Sequence, residues 1–388
     1  MGGLLYLGSA SLGRHPVRTA LLALTIAVVV ALPLVTESAL DGYQASLRVR
    51  AEASPLIVGP RGGRFDLLLD ALALRPGPAA MRRGALDQLT AGLDLTVLPL
   101  HQVHQAGGAT IIGTDLDYLR HRHLGCAVGR LPLRLGECVL GATTARRLGL
   151  APGATLTCAP LDVLDPSGGF SQDLLVTGVL TAGGQIDDER IFCDLHTAWL
   201  LDGIGHGHTR QDRLVTAGGS HQAAADTALR ASVTAAGSKD FHFHGDPADF
   251  PLSAAILLPA DADQALLVRG RAAAVDTELQ IIVAEQVLDE VIGATLRFRQ
   301  FGRWAAAAVL ATTLALLALV AALAYRLRAA EFATLDALGI TRGEKIALVA
   351  CEWLLLGLLA ALLAALLAVV GHGVVTSSLH RFVTTWEA

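Results

Sequence analysis

The chain has 388 residues, of which 53% are hydrophobic and 17% charged, with a formal net charge of −5. The mean hydropathy is +0.51, and the apolar residues gather into long runs rather than spreading evenly. No block of like charge is present to bind nucleic acid, and the balance is that of a membrane protein.

Residues 1–18 carry Arg14, His15 and Arg18 and precede the first membrane-length run, TALLALTIAVVVALPLVT, at residues 19–36. A signal peptide also has a basic flank, but this run is long for one and no clean A-x-A site follows it. Residues 37–303 change texture. Short apolar runs bounded by Gly, Pro or Asp (SPLIVGP, GATIIGT, ECVLGA, DLLVTGVL, ERIFCDL) predict strands. AADTALRASVTAAG and TELQIIVAEQVLDEVIGATLRFRQFG predict helices, the latter running toward Trp304 as a stalk. Residues 304–325 form the second apolar run, 326–345 a short basic loop, 346–370 the third run and 371–388 a short tail. About 20 apolar residues cross a bilayer core, so three transmembrane helices are predicted.

Basic residues orient the spans. Arg14 and Arg18 place the N-terminus in the cytoplasm, and Arg326, Arg328, Arg342 and Lys345 place the second loop there. Residues 37–303 then form a large extracytoplasmic α/β domain, and the tail with Arg381 lies on the same side. Four of the five cysteines, Cys126, Cys138, Cys158 and Cys193, fall in that domain. Such a compartment permits disulfides, but buried thiols fit the sequence equally well, and no pairing follows from the spacing.

No Walker A, G-x-S-x-G, H-E-x-x-H or C-x-x-C motif occurs, so no catalytic residue and no cofactor is expected. VGPRGG, Val58 to Gly63, lacks the order of a phosphate loop. Histidines come in pairs: His101/His104, His121/His123, His206/His208 and His242/His244. The i, i+2 pairs put both imidazoles on one face of a strand, which makes His206, His208, His242 and His244 weak metal candidates. No Cys or carboxylate completes a set at fixed spacing, so the expectation is solvated loop histidines and no metal. Glu352 lies about one turn into the third run. An intramembrane carboxylate is a functional candidate, though a residue so near the span's end also reaches the interface or a partner.

The second loop carries a specific pattern, R-x-x-E-[apolar]-A-x-L-x-A-L-G-x-[ST]-R, followed by a helix with an early Glu. Arg328, Glu331, Phe332, Ala333, Leu335, Ala337, Leu338, Gly339, Thr341, Arg342 and Glu352 match it. In this the chain resembles FtsX/MacB-type ABC transporter permeases, with Asp336 where that family usually carries a basic or neutral residue. Residues 37–303 are similar to the MacB-type periplasmic core of the lipoprotein-releasing and macrolide-exporter superfamily. The matches there are Val58 to Gly62 with Leu67 to Leu69, and Ile112 to Thr114 with Tyr118 and Leu119; then Gly129, Arg130, Pro132, Gly136, Glu137, Val139 to Gly141, Ala145, Leu148 to Leu150 and Gly153, and the segment Asp188 to Trp199. The glycines of these motifs sit at predicted strand ends and turns and are expected to be scaffold.

The resemblance implies an inner-membrane permease that transmits ATP-driven motion to its external domain, for export or release of a lipoprotein, peptide or amphiphile. ATP would be bound by a separate ABC ATPase subunit. Docking would use Arg328, Glu331, Phe332, Leu335, Leu338, Gly339 and Arg342. The other implied partners are a second copy or a related permease, membrane lipid, and a lipoprotein or periplasmic protein. Such permeases usually have a fourth span, for which residues 371–388 are too short and too polar. The alternatives are an FtsX-like signalling or scaffold protein that controls an external enzyme, and a metal-handling external domain.

Overall fold

The structure, a computed structural model, describes residues 2–14, 16–77, 81–158, 172–184, 186–207, 241–275, 278–327, 333–334, 337 and 339–385. The chain divides into two compact units, Met1–Ala45 with Ile292–Ala388, and Ser46–Val291. The second unit is narrower than the 37–303 segment read from the sequence, because the flanking residues continue the helices of the first.

The first unit is helical. α1 (Gly2–Arg14) and α2 (Pro16–Glu52) come from the N-terminal third of this unit's sequence and its continuation into the second. Three helices are long and apolar enough to cross a membrane: α2, the Gln300–Leu323 stretch of a 44-residue helix Ala284–Leu327, and the Arg342–Gly371 stretch of a second 44-residue helix, Arg342–Thr385. Pro33 lies inside α2, where it removes one helical hydrogen bond, a loss that membrane helices tolerate. The segment 371–385, expected as a tail, continues the last helix to Thr385.

In the second unit α2 ends at Glu52 and gives way to β1 (Leu56–Pro60), α3 (Arg64–Ala73), β2 (Met81–Arg82) and α4 (Arg83–Thr90). β3 (Leu95–His101), β4 (Gln105–Ala106), β5 (Ala109–Thr114), α5 (Leu116–His121) and β6 (Cys126–Gly129) follow. Next come β7 (Glu137–Leu140), α6 (Ala142–Leu148), β8 (Thr155–Cys158), β9 (Gln172–Leu180), β10 (Ile191–Asp194) and α7 (Leu195–Leu201). The unit closes with β11 (Gly205–Gly207), β12 (Phe241–Phe243), β13 (Pro251–Leu252), β14 (Ala254–Pro259), α8 (Ala262–Val275), β15 (Leu279–Val283) and α9 (Ala284–Leu327). The remaining long helix, Arg342–Thr385, is α10.

Eleven of these strands share one mixed sheet, whose main order is β15-β1-β14-β3-β5-β10-β7-β9-β6, with β4 beside β5 and β8 beside β9. Each short apolar run read from the sequence is a strand: β1, β5, β7, β9 and β10. One expected helix is corrected. Residues 277–302 were read as wholly helical, but Leu279–Val283 pairs antiparallel with β1 and the helix starts only at Ala284. The β-branched Ile281, Ile282 and Val283 favour the sheet edge. The expected helix AADTALRASVTAAG lies outside the described residues.

Two of the hydrophobic clusters on this sheet, among the described residues, flank the site described below. One gathers Leu56, Val58, Leu86, Leu252, Leu257 and Trp199. The other gathers Ile111, Cys138, Leu140, Val176, Cys193 and Leu201. Helix α7 serves both, with Trp199 in the first and Ala198 and Leu201 in the second. Trp199 is fully buried, donates its indole N–H to Pro251 O at 2.8 Å and stands edge-on to Phe250 at 4.9 Å. Between the cores β3 meets β5 through only Leu100↔Thr114 and His101↔Gly113. Gly113 is glycine because α7 crosses so close that a Cβ there would overlap the Ala198 methyl.

Gly113→Ala should therefore cost about 1–3 kcal/mol through overpacking alone. Ala198→Gly in the same chain should recover part of that loss, visible as a positive coupling in denaturant unfolding. Additive losses would mean that the two positions do not collide.

Candidate functional site

Three places hold polar chemistry that the fold sets up. The first is the foot of α2. Arg50 lies on its last turns with a side chain only 2% exposed, and its Nη1 donates to Asp187 Oδ2 at 2.6 Å; Asp187 is 5% exposed. Arg50 Nη2 also lies 3.3 Å from the Tyr118 hydroxyl on α5. The same short helix holds the residues that follow α2. His121 Nε2 lies 2.7 Å from Ala53 O, and Arg122 donates to Ser54 Oγ at 2.7 Å while lying over the Tyr118 ring. Burial pulls the Arg122 guanidinium below its ordinary value.

Asp187 is itself held from beneath. It is the second residue of a short 3-10 turn, Ile186–Glu189, whose backbone touches Gly141 so closely that a Cβ would strike the carbonyls of Asp187 and Asp188. Asp188 accepts from Gly183 and Gly184 N–H, at 2.7 Å for Gly184. Arg190 donates to Ala73 O at 2.8 Å, and burial brings its guanidinium down to about 10, so it stays charged at neutral pH. Downstream, Asp194 caps α7 by accepting from His196 N–H at 2.9 Å, and Thr197 Oγ1 accepts from Gly136 N–H at 3.0 Å. Asp187, Asp188, Arg190, Asp194 and Thr197 are thus engaged in the scaffold. Glu137 is too: it pairs with Arg130 and accepts from the backbone N–H of Leu133 and Arg134.

The second place is the helical unit around α10. Ala23, Ala27 and Ala31 of α2 pack against Leu356, Ala360 and Ala364 of α10, and all but Leu356 are small residues spaced by four. That spacing lets membrane helices approach closely. Glu352 is buried at 9% exposure. Helix α1 passes beside it: a Cβ on Gly8 would come 3.3 Å from Cys351 Sγ and 3.7 Å from Glu352 N. The carboxylate thus stands inside helical packing rather than at an open interface. The Gln300–Leu323 window of α9, by contrast, buries none of its side chains.

The loop between α9 and α10 lies mostly beyond description: Arg328, Glu331, Phe332, Leu335 and Leu338 are outside the described residues. Gly339 has φ +80°, a turn conformation that suits glycine. Thr341 and Glu344 then form a reciprocal cap: Thr341 N–H donates to Glu344 Oε2 at 2.9 Å, and Glu344 N–H donates to Thr341 Oγ1 at 3.3 Å. This is a capping box, T-R-G-E, and it explains why α10 begins at Arg342. The G-x-[ST]-R end of the loop pattern is, locally, a helix stop followed by a helix start.

The third place is a histidine cluster that spacing could not reveal. His101 ends β3, His104 follows in the loop, and Asp202 caps the C-terminus of α7. His104 Nε2 lies 2.6 Å from Asp202 Oδ1 and His101 Nε2 lies 2.8 Å from Oδ2. Burial alone would push the Asp202 carboxyl up, but the two imidazoles outweigh it and bring it down to about 2. The candidates from the sequence are arranged differently. His206 and His242 are register partners across β11 and β12, and the rings of His242 and His244 stand 4.6 Å apart. His208 lies outside the described residues. The four cysteines of this unit are thiols; burial raises all four, Cys158 to about 12.

Solved structures similar to this chain include the following two. The extracellular domain of the noncanonic ABC-type transporter YknZ from Gram-positive bacteria is 13% identical, with a TM-score of 0.32, over 58% of this chain and 98% of that one. The periplasmic region of MacB from Actinobacillus actinomycetemcomitans is 10% identical, with a TM-score of 0.35, over 61% of this chain and 91% of that one. No protein-family model and no curated protein matches the chain.

Removing one partner of the Arg50–Asp187 pair strands the other charge in the interior. Arg50→Met or Asp187→Asn should each cost about 3–5 kcal/mol, whereas Arg50→Met with Asp187→Leu should cost less than either alone. Denaturant unfolding of the full chain in detergent, followed by a probe in the sheet unit, reads this. A single-site loss below about 1 kcal/mol would contradict the anchoring role.

Proposed function

We propose that this chain is the membrane-spanning subunit of an ABC-type transport machine, in which motion generated by a separate ATPase is passed along helices to an extracytoplasmic sheet domain. The observation that carries this reading is α2. It begins as an apolar run of membrane length and ends, without a break, at a buried Arg50–Asp187 pair inside the sheet unit. An exposed ion pair would yield under load, whereas a buried one breaks only at the cost of leaving a charge desolvated.

The parts take the following roles. The loop 326–345 receives the ATPase on its cytoplasmic side, with Arg328, Glu331, Phe332, Leu335 and Leu338 as the docking face. Gly339 and the Thr341–Glu344 cap fix where the third span starts, so a push on the loop moves α10 rather than fraying it. α10 drags α2 through the alanine seam. α9, which is one helix from Ala284 to Leu327, is the second path. Basic flanks at Arg14, Arg18, Arg326, Arg342 and Lys345 support the sidedness. The sequence has no Walker A motif, so ATP binding falls to the partner. The cargo is a lipoprotein, peptide or amphiphile that the external domain pushes or releases.

Two measurements test this. Thiol labelling in intact cells should reach Arg134→Cys from outside and Arg342→Cys only after permeabilisation; the reverse pattern would overturn the sidedness. Leu335→Asp or Leu338→Asp puts a charge into an apolar contact at a cost of about 2–4 kcal/mol. A P-loop ATPase that co-purifies with the wild-type chain should then be depleted at least tenfold. Equal recovery would remove this loop as the docking site.

A further inference from the structure

The cluster at the seam between the two cores has the composition of a metal site. His101 and His104 come from one edge of the seam, the end of β3 and the loop beyond it, and Asp202 comes from the C-terminus of α7. Two imidazole nitrogens and one carboxylate oxygen, one ligand atom from each residue, lie within 4.8 Å of one another. The side chains of His101 and His104 are 1% and 6% exposed, and that of Asp202 is 14% exposed, so one side of the cluster reaches solvent while the imidazoles do not.

The bland reading is a carboxylate that accepts two imidazole N–H groups. It accounts for His104, whose Nε2 is hydrogen-bonded to Asp202 Oδ1. It does not account for His101. The His101 Nε2 and Asp202 Oδ2 atoms lie 2.8 Å apart as a close ion-pair contact, yet both are buried and neither makes an aligned hydrogen bond among the described residues. They approach without the alignment that a hydrogen bond requires, and a pair of buried polar atoms left in that state is costly. An ion placed off the line between them removes the cost, because each lone pair then points at the ion instead of at its neighbour.

We propose that His101, His104 and Asp202 hold a divalent transition-metal ion of the zinc class. Neutral imidazole nitrogens with one carboxylate form a ligand set that such ions take, with three protein ligands and a fourth position for water. Bonds of about 2.0–2.1 Å to each nitrogen and 2.0–2.2 Å to the oxygen require the present contacts to open by roughly half an ångström. The ligands sit on a strand end, a loop and a helix cap, which can give that much. On binding, each imidazole offers its Nε2 lone pair and keeps its single proton on Nδ1, and a proton leaves to solvent only from an imidazole that was doubly protonated beforehand.

The position gives the ion a role. His101 pairs with Gly113 of β5, and His104 O accepts from Ile111 N–H at 2.8 Å. Val97 of β3 packs against one cluster and Ile111 of β5 belongs to the other, and these two strands share only two register pairs. A metal there ties β3 to the helix that serves both cores. It would stiffen the sheet domain at its thinnest join.

The test uses the purified full chain in detergent, stripped with a chelator and then titrated with ZnCl2 by calorimetry and with CoCl2 by visible absorption. The expected result is one equivalent per chain, with the strong 500–650 nm cobalt bands of a four-coordinate site and a higher unfolding temperature on zinc addition. Asp202→Asn and His104→Gln should weaken binding at least tenfold, while His242→Gln with His244→Gln should leave it unchanged. No stoichiometric ion in the wild-type chain would overturn the proposal, whatever the variants do. So would equal binding by Asp202→Asn, or loss confined to the His242/His244 variant.

Discussion

The buried pair of Arg50 with Asp187 is the constraint on which the rest of the structure depends. A guanidinium taken out of water costs several kcal/mol unless its partner is fixed in advance. The fold fixes it by a chain of close approaches: Gly141 lets α6 close on the Asp187 turn, Asp188 binds the Gly183 and Gly184 amides, and Arg190 reaches Ala73 O. Tyr118, His121 and Arg122 of the α5 region hold Arg50 and the two residues after the helix. A helix whose sequence begins as a membrane span thus finishes in a rigid socket. The socket is made of residues that would otherwise read as an active-site cluster of acids, arginines and a tyrosine.

Packing in the helical unit follows a different rule. Between apolar helices there is no hydrophobic gain to be had in lipid, so association rests on closeness. Ala23, Ala27 and Ala31 against Ala360 and Ala364 provide it, with Gly371 beside Val35 continuing the seam. Glu352 sits at the start of that seam, beside Gly8 of α1. Helix α1 takes part in this packing through Gly8.

Much of this was legible in the sequence, and the failures are instructive. Apolar runs locate three membrane-length helices and five strands because both signals are local: length for the helices, bounded β-rich runs for the strands. β3 and β14 escaped, although LTVLPLH and AAILLP are as apolar as the strands that were found; Pro99 and Pro259 argue against a central strand. Leu279–Val283 was absorbed into a helix because the helical pattern after it is strong, and only pairing with β1 decides the matter. The capping box at Thr341 is legible in the sequence as T-x-x-E, within the same segment as Gly339 and Arg342. No signal in the sequence pointed to Asp202 beside His101 and His104, or to Asp187 beside Arg50. These partners are 98 and 137 residues apart, and only the fold of the sheet brings them together.

The central claim is that helical motion begun at the loop between the last two spans reaches the sheet domain through α2. Its most direct measurement places a spin label at Asp263→Cys, on the exposed face of α8, in the chain assembled with its ATPase in lipid nanodiscs. The distance between labels on two copies is then recorded with and without ATP. The account predicts an ATP-dependent change of several ångströms in the wild-type chain, lost in a folded Arg50→Met, Asp187→Leu variant that still supports ATP hydrolysis. An unchanged distance in the wild type, or the same change in that variant, would contradict it.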